Sequence, residues 1–438
     1  MFEFVDQPLL PSQSNFAPVD ELKEAILVNS IEGKVPHDFP KGVYARNGKY
    51  CSIAENHLPH QINIFTLETL DIGMSMETGI GLLPAIQRFL FIHGRVPGTG
   101  ELVIMEVDAT KPFMELGVVS ADGKRLLHKA DLKFNSCSLS HDIGVTKRYN
   151  VVMDFPLTID INRLLKGGPL IKYNKAEYAR IGIMARYGNA DSIKWFQVGS
   201  TCTFHLLNCL EDGTDEVVVR ACRALDSIIP GPDTGVNKFE WFSKRLKHIK
   251  SVDEYTSSED GSLFTRVYEW RLNMNTGDVR ERFLTGTEFS MDFPMIQGDF
   301  TGVKNKYGYT QVTDSNASSD SSMPKYGGLA KLYFEEPADS KINSVVNLEL
   351  IQVEYHKFEQ NTFCTGAAFV PKQGSHEEDD GWIITFVHNE DTSMSKAYII
   401  DTKKFTSEPV AKITLPCRVP YGFHGAFMPI LLQSLTAS

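Results

Sequence analysis

From about residue 50 onward the chain is built of short apolar runs rich in β-branched and aromatic residues, each closed by Gly, Pro, Asn or Asp. Leu102–Val107, Tyr149–Phe155, Glu216–Cys222, Leu263–Leu272, Lys331–Phe334, Trp382–His388 and Ala397–Ile400 are all of strand length. Strands at such regular spacing predict an all-β fold, whether sandwich, barrel or propeller. A strand, polar turn, strand unit also recurs. It is seen around Phe65–Asp71, Pro97–Leu102, Asn273–Val279 and Asp401–Pro409. That echo fits propeller blades, although a sandwich shows similar turns. Helical patterns are few. Residues 1–40 read as mostly irregular, with a short helix over Asp20–Ile26. Asn237–Lys250, basic and carrying Phe239, Trp241 and Phe242, reads as a surface helix over an apolar underside. Thr313–Ser322 reads as a mobile loop and Gln373–Gly381 as an acidic one. No linker divides the chain, so residues 1–438 are read as one domain.

Composition narrows the partners. Of 438 residues, 44 are Lys or Arg and 55 Asp or Glu, a formal net charge of −11. That balance opposes phosphate-backbone binding, so no nucleic acid is expected. It gives no pull toward an anionic membrane either. Twenty-seven Phe supply material for an apolar cavity. Seven scattered cysteines without a CxxC pair read as reduced thiols in an intracellular protein. No apolar run reaches the length of a membrane-spanning helix, and the acidic start at Met1–Asp6 shows no transit peptide.

Histidines change the picture. Four of them end apolar segments far apart in the chain: His93 in Phe89–His93, His141 in Ser138–Ile143, His205 in Thr203–Leu207 and His424 in Val419–Phe427. Without local spacing, they point to a metal site assembled by the whole fold. Neutral imidazole suits Fe, Zn, Cu and Ni, so residue type alone leaves the metal open. His57 and His60 flank a turn. His37, His128, His248, His356, His376 and His388 sit in polar or turn settings and are expected at the surface. A ligand His normally gives its second ring N–H to a carboxylate or carbonyl. Acids at strand ends or in apolar settings are the candidates: Glu55, Asp292 and Glu378, with Glu288 as a fallback for Asp292.

Several stretches then resemble one family. His141-Asp142-Ile143-Gly144-Val145-Thr146, followed by Val151–Leu157, is similar to a hallmark stretch of the carotenoid cleavage dioxygenases. So are Trp195-Phe196 with Cys202–Asn208, Glu377–Trp382, Arg418–His424, Arg180–Ile183 and Asn15–Val19. The matches run in order over nearly the whole chain. Asp154–Leu157 and Asp292-Phe293-Pro294 resemble plant members most, near the 9,10-cleaving and zaxinone-synthase-like branches.

The resemblance implies a seven-bladed β-propeller with central Fe(II) held by His93, His141, His205 and His424. It implies carboxylates that accept the second ring N–H of ligand histidines at Glu55, Asp292 and Glu378; the family commonly has Glu where this chain has Asp292. The implied reaction is cleavage of a conjugated double bond of a carotenoid or apocarotenoid by O2, giving aldehyde or ketone products. Phe91, Phe204, Phe423 and Phe427 flank the histidines as channel or packing residues. One departure stands out. Arg46-Asn47-Gly48 runs directly into Lys49–Ile53, where the family has roughly a hundred residues. About one blade, and apolar helices at a membrane-facing tunnel mouth, are expected to be missing after the N-terminal arm 1–48. The chain is then either an active dioxygenase or an impaired isoform that binds iron or carotenoid without turnover. Peripheral membrane association for substrate uptake is expected but weakened by the gap, and the location is plastid or cytoplasm.

Overall fold

The computed structural model describes residues 50–52, 60–62, 69–72, 88–121, 125–175, 178–227, 245–246, 263–321, 323–335, 350–422, 424–425 and 427, with side chains from Val96 onward. The helices read over Asp20–Ile26 and most of Asn237–Lys250 lie outside these residues.

The described strands group into antiparallel meanders that follow one another along the chain. The first holds β1 (Tyr50–Ser52), β2 (His60–Ile62) and β3 (Thr69–Ile72). The second holds β4 (Arg88–Arg95), β5 (Leu102–Asp108), β6 (Met114–Val119) and β7 (Leu126–Asp131). A small side sheet of β8 (Cys137–Ser138), β11 (Leu157–Ile159) and β12 (Ile171–Tyr173) interrupts the third. The third itself is β9 (Gly144–Val145), β10 (Tyr149–Asp154), β13 (Ala179–Ala185) and β14 (Lys194–Val198). The fourth is β15 (Cys202–Asp212), β16 (Glu216–Ala224), β17 (Thr265–Asn273) and β18 (Val279–Phe283). The fifth is β19 (Met291–Met295), β20 (Tyr307–Thr313), β21 (Tyr326–Tyr333) and β22 (Gln352–Lys357). The sixth is β23 (Thr362–Pro371), β24 (Gly381–Asn389), β25 (Met394–Asp401) and β26 (Ala411–Thr414). The fifth and sixth touch through the pair Tyr326 and Cys364.

The first strands of successive meanders are neighbours: β4 packs on β9, β9 on β15 and β15 on β19. Meanders that share their first strands around one line are propeller blades, each flanked by a blade on both faces. Burial follows from this. Along β16 every residue after Glu216 is buried. A strand covered on both faces does not need the apolar/polar alternation of a half-exposed one. Apolar layers fill the seams. Met105, Val107 and Leu116 of the second blade meet Ile143, Val152 and Met184 of the third. Ile181 and Ile183 meet Val219 and Trp270 of the fourth. Val267 meets Met291 and Leu332 of the fifth, and Leu329 meets Ile383 and Ile400 of the sixth. Each such side chain contributes about 1.5–3 kcal/mol by leaving water. These seams press adjacent blades together and so fix the axis.

The seven sequence-read strands all coincide with observed strands, with ends moved by a few residues. Thr313–Ser322 differs. It contains helix α2 (Ser315–Ser321), preceded by the five-residue α1 (Ile161–Leu165) earlier in the chain. Asp314 starts α2 by accepting from Ala317 N (2.9 Å). Buried Ser318 takes Lys325 N (2.8 Å). These tertiary and capping bonds override the weak helix propensity of Ser, Asn and Asp.

Candidate metal centre

His205 lies on β15, the inner strand of the fourth blade. The pairing of β15 with β16 shifts between Thr203 and Leu206 and again before Asn208. Such a bulge re-aims a side chain out of the sheet. His205 Nδ1 lies 2.7 Å from Asp292 Oδ1 on β19. A carboxylate there holds the proton on Nδ1 and leaves the Nε2 lone pair free. Nε2 is buried and finds no partner among the described residues, and the residue is only 8% exposed. An orphaned buried ring nitrogen whose other nitrogen is tied to an acid fits a metal ligand.

His141 sits in the segment between β8 and β9. Asp142, beside it, pins that segment. Its Oδ1 accepts from Ile143 N (2.8 Å), and its Oδ2 accepts from Leu206 N (2.8 Å), one residue past His205. The sequence reading passed over Asp142, although an acid directly after a candidate ligand was the available signal. Phe204 stacks on His141, with ring centroids 4.9 Å apart and 19° between planes. Phe204 therefore packs on the His141 ring.

His424 arrives on the segment after β26. Its ring centroid is 5.0 Å from that of His205 and 6.5 Å from that of His141, and the His141–His205 pair is 5.1 Å apart. One nitrogen from each ring lies within 4.8 Å of the others. Two imidazole nitrogens bound at about 2.1 Å to one ion sit roughly 3–4 Å apart, so little movement closes the set. Three neutral imidazoles suit a transition ion such as Fe, Zn, Cu or Ni.

Phe293 caps the cluster, with ring centroids 4.6 Å from His205 and 4.9 Å from His424. Its φ is +53°. A non-glycine residue in this region costs on the order of 1 kcal/mol and persists only where the surroundings hold it. Here Asp292 Oδ1 accepts Phe293 N (2.8 Å), and Tyr326 meets the ring edge-on at 5.5 Å. Behind Asp292 lies buried Cys222. Burial first, then the Asp292 charge, push this thiol well above its usual range, so it stays an S–H donor to that carboxylate.

The other expected residues are placed as follows. The main chain of His93 lies on β4, where pairing with β5 breaks between Ile92 and Arg95, and β4 packs beside β9. Its side chain, with those of Phe91, Phe423 and Glu55, lies outside the described set. Phe427 is 38% exposed. Glu378, expected beside a histidine, clamps the start of β20. It accepts from Lys306 N (2.8 Å) and Tyr307 N (2.7 Å). Burial raises its pKa, and these two amides oppose the rise. The acidic loop folds onto the β19–β20 connection, so this carboxylate serves the backbone. Glu288 is exposed and Asp292 needs no substitute.

Two histidines expected at the surface are buried. His356 Nδ1 meets Phe405 O (2.8 Å) and His388 Nδ1 meets Ser395 Oγ (2.9 Å). Burial lowers the pKa of both, which favours the neutral ring. They lie on strands of the crowded fifth and sixth blades, where both faces are covered. His128 bonds Gly188 O (2.6 Å) and His376 is exposed.

A family model described as RPE65, retinal pigment epithelial membrane protein, matches residues 47–429. Among curated proteins, a carotenoid 9,10(9',10')-cleavage dioxygenase of Crocus sativus is 30% identical over 393 residues, 87% of this chain and 64% of its own length. Carotenoid 9,10(9',10')-cleavage dioxygenase 1 of Arabidopsis thaliana is 29% identical, over 87% of this chain and 65% of its own. The chloroplastic 9-cis-epoxycarotenoid dioxygenase NCED1 of Oryza sativa subsp. japonica is 26% identical, over 87% and 53%. The chain thus spans between about half and two thirds of the length of these relatives. Two crystal structures share the fold. One is a Pseudomonas brassicacearum lignostilbene dioxygenase, with TM-score 0.67, 20% identity, 87% of this chain and 74% of that one. The other is cobalt-substituted Synechocystis ACO, with TM-score 0.65, 18% identity, 86% of this chain and 71% of that one. With its blades converging on clustered histidines and the family match running from residue 47 to 429, the chain belongs to the RPE65 family of carotenoid oxygenases.

Proposed function

We propose that this protein is a non-haem Fe(II) dioxygenase that cleaves a conjugated double bond of a carotenoid or apocarotenoid. One C=C and one O2 become two carbonyl groups, aldehyde or ketone. The observation that carries the reading is the His141–His205–His424 cluster, with His205 buried, its Nε2 without a partner among the described residues and its Nδ1 on Asp292. We take His93 as the fourth ligand. Bound there, iron supplies the site at which O2 is activated. The chain does the rest. Asp292 keeps the Nδ1 proton in place. Phe204 and Phe293 wall the histidines with apolar rings and exclude water. A polyene offers few polar handles, so apolar walls must set which bond meets the metal.

We place part of the missing length after Gly48 and read residues 1–438 as one propeller domain short of a blade. The alternative is an impaired isoform that binds iron, carotenoid or both without turnover. The test is anaerobic purification with metal analysis, then a carotenoid or apocarotenal in detergent under air. About one iron per chain together with carbonyl products supports the dioxygenase. Iron without products favours the alternative. Folded protein that takes up neither iron nor carotenoid overturns both. We assign the protein to the plastid, because relatives such as the rice enzyme are named chloroplastic.

An apolar substrate must be drawn from a lipid phase. Helix α1 presents Leu164 and Leu165, 39% and 78% exposed, and buries none of its residues. We read this helix as a membrane contact. Inserting one leucine is worth about 1.5–3 kcal/mol. Leu165→Glu should lower partitioning onto neutral phosphatidylcholine vesicles by about 10-fold in a sedimentation assay. Unchanged partitioning would remove this helix from the contact.

A further inference from the structure

The segment that brings His424 to the cluster follows β26, and among the described residues it belongs to no strand. Two of its backbone donors are tied to hydroxyls. Val419 N–H donates to Ser395 Oγ (2.9 Å) and Gly422 N–H donates to Thr365 Oγ1 (2.7 Å). Thr365 is 2% exposed and lies on β23, the first strand of the sixth blade. The pairing of β23 with β24 breaks between Thr365 and Ala368. The next residue in that irregularity, Gly366, touches the segment on the far side of His424. A Cβ built on Gly425 would lie 1.8 Å from Gly366 O. His424 is thus suspended between two fixed points, Gly422 and Gly425. Thr365 bonds Gly422 and Gly366 lies against Gly425, both within the same irregular stretch of β23.

We propose that Thr365 is the positioning residue of His424: its hydroxyl, presented by the β23 irregularity, holds Gly422 and so sets the reach of the imidazole into the cluster. This rests on reading that cluster as a metal centre. Gly422 is buried, so its N–H without an acceptor carries a desolvation penalty. The segment escapes that penalty by shifting toward water, and His424, two residues on, shifts with it. The other hydroxyl anchor acts at Val419, well upstream of the ligand, and does not replace the lost one. A serine keeps the acceptor. A valine keeps the shape and removes it.

The test is a Co2+ titration of metal-free, full-length protein followed by visible absorption. Wild type, Thr365→Val, Thr365→Ser and His205→Ala are compared. Thr365→Val should bind Co2+ about 10-fold more weakly, with an altered ligand-field spectrum, and Thr365→Ser should restore both. A Thr365→Val protein that titrates like wild type overturns the proposal, and so does a Thr365→Ser protein as weak as the valine variant. Failure of the metal centre itself looks different. Wild type would then bind no Co2+, or His205→Ala would bind as wild type does, and the proposal would fall with the centre. Hydrogen exchange of the unsubstituted protein gives a check that does not depend on the variant folding. The peptide spanning 419–425 should exchange as slowly as β23. Exchange at open-chain rates overturns the proposal.

Discussion

Metal-free His205→Ala should bind Co2+ more than about 100-fold more weakly than wild type, and should purify without iron. Loss of an outer partner of a ligand histidine already costs about 10–100-fold in affinity, and removing the ligand costs more. His205 is the centre of the cluster by geometry, because its ring is about equally close to His141 and His424. Its Nε2 is also buried and without a partner among the described residues. In the same titration Asp292→Ala should fall in the 10–100-fold range. The imidazole stays, but nothing then fixes its tautomer or direction. Equal binding by His205→Ala and wild type would remove the metal site. Equal binding by Asp292→Ala and wild type would leave the site and remove the role given to the carboxylate.

Glu269→Ala should lower stability by about 3–5 kcal/mol, the cost of leaving a buried charge unpaired. Arg220 on β16 stands directly across from Glu269 on β17, and Arg220 Nε donates to Glu269 Oε2 at 2.9 Å. Glu269 is 1% exposed and Arg220 is 7% exposed. Burial is the main pressure lowering the pKa of Arg220, and Glu269 is the chief group opposing it. The guanidinium keeps a 3.3 Å bond to Asn305 and lies over the Phe334 ring at 4.1 Å, but neither neutralises it. The midpoint of urea unfolding reads the loss. A shift worth under about 1 kcal/mol would mean that water reaches Arg220 and the seam is looser than described. The blade at stake is the one whose β15 carries His205, so the same variant should also weaken metal binding.

Much of this protein was legible in its residues. Runs such as Glu216–Cys222 and Trp382–His388 announced strands, because β-branched and aromatic side chains fit a pleated, buried surface. His141, His205 and His424 were marked as a set by their apolar settings and by the resemblance of their motifs to one family. Asp292 was marked as an acid beside Phe293 and Pro294, and the structure brings it to His205. Other assignments needed the assembled fold. Glu378 and Asp292 look alike as acids near apolar residues, yet one clamps the backbone of β20 and the other meets His205. His356 and His388 look like surface residues until the fifth and sixth blades close over them. Asp142 and Thr365 accept from backbone amides, at Leu206 and Gly422, that are distant in the chain. Local propensity and pattern are properties of neighbouring residues, so the sequence by itself determined the strands and the candidate ligands. Which polar atom meets which amide, and where a ladder breaks to re-aim a histidine, depends on the packing of blade against blade, and only the tertiary structure decided it.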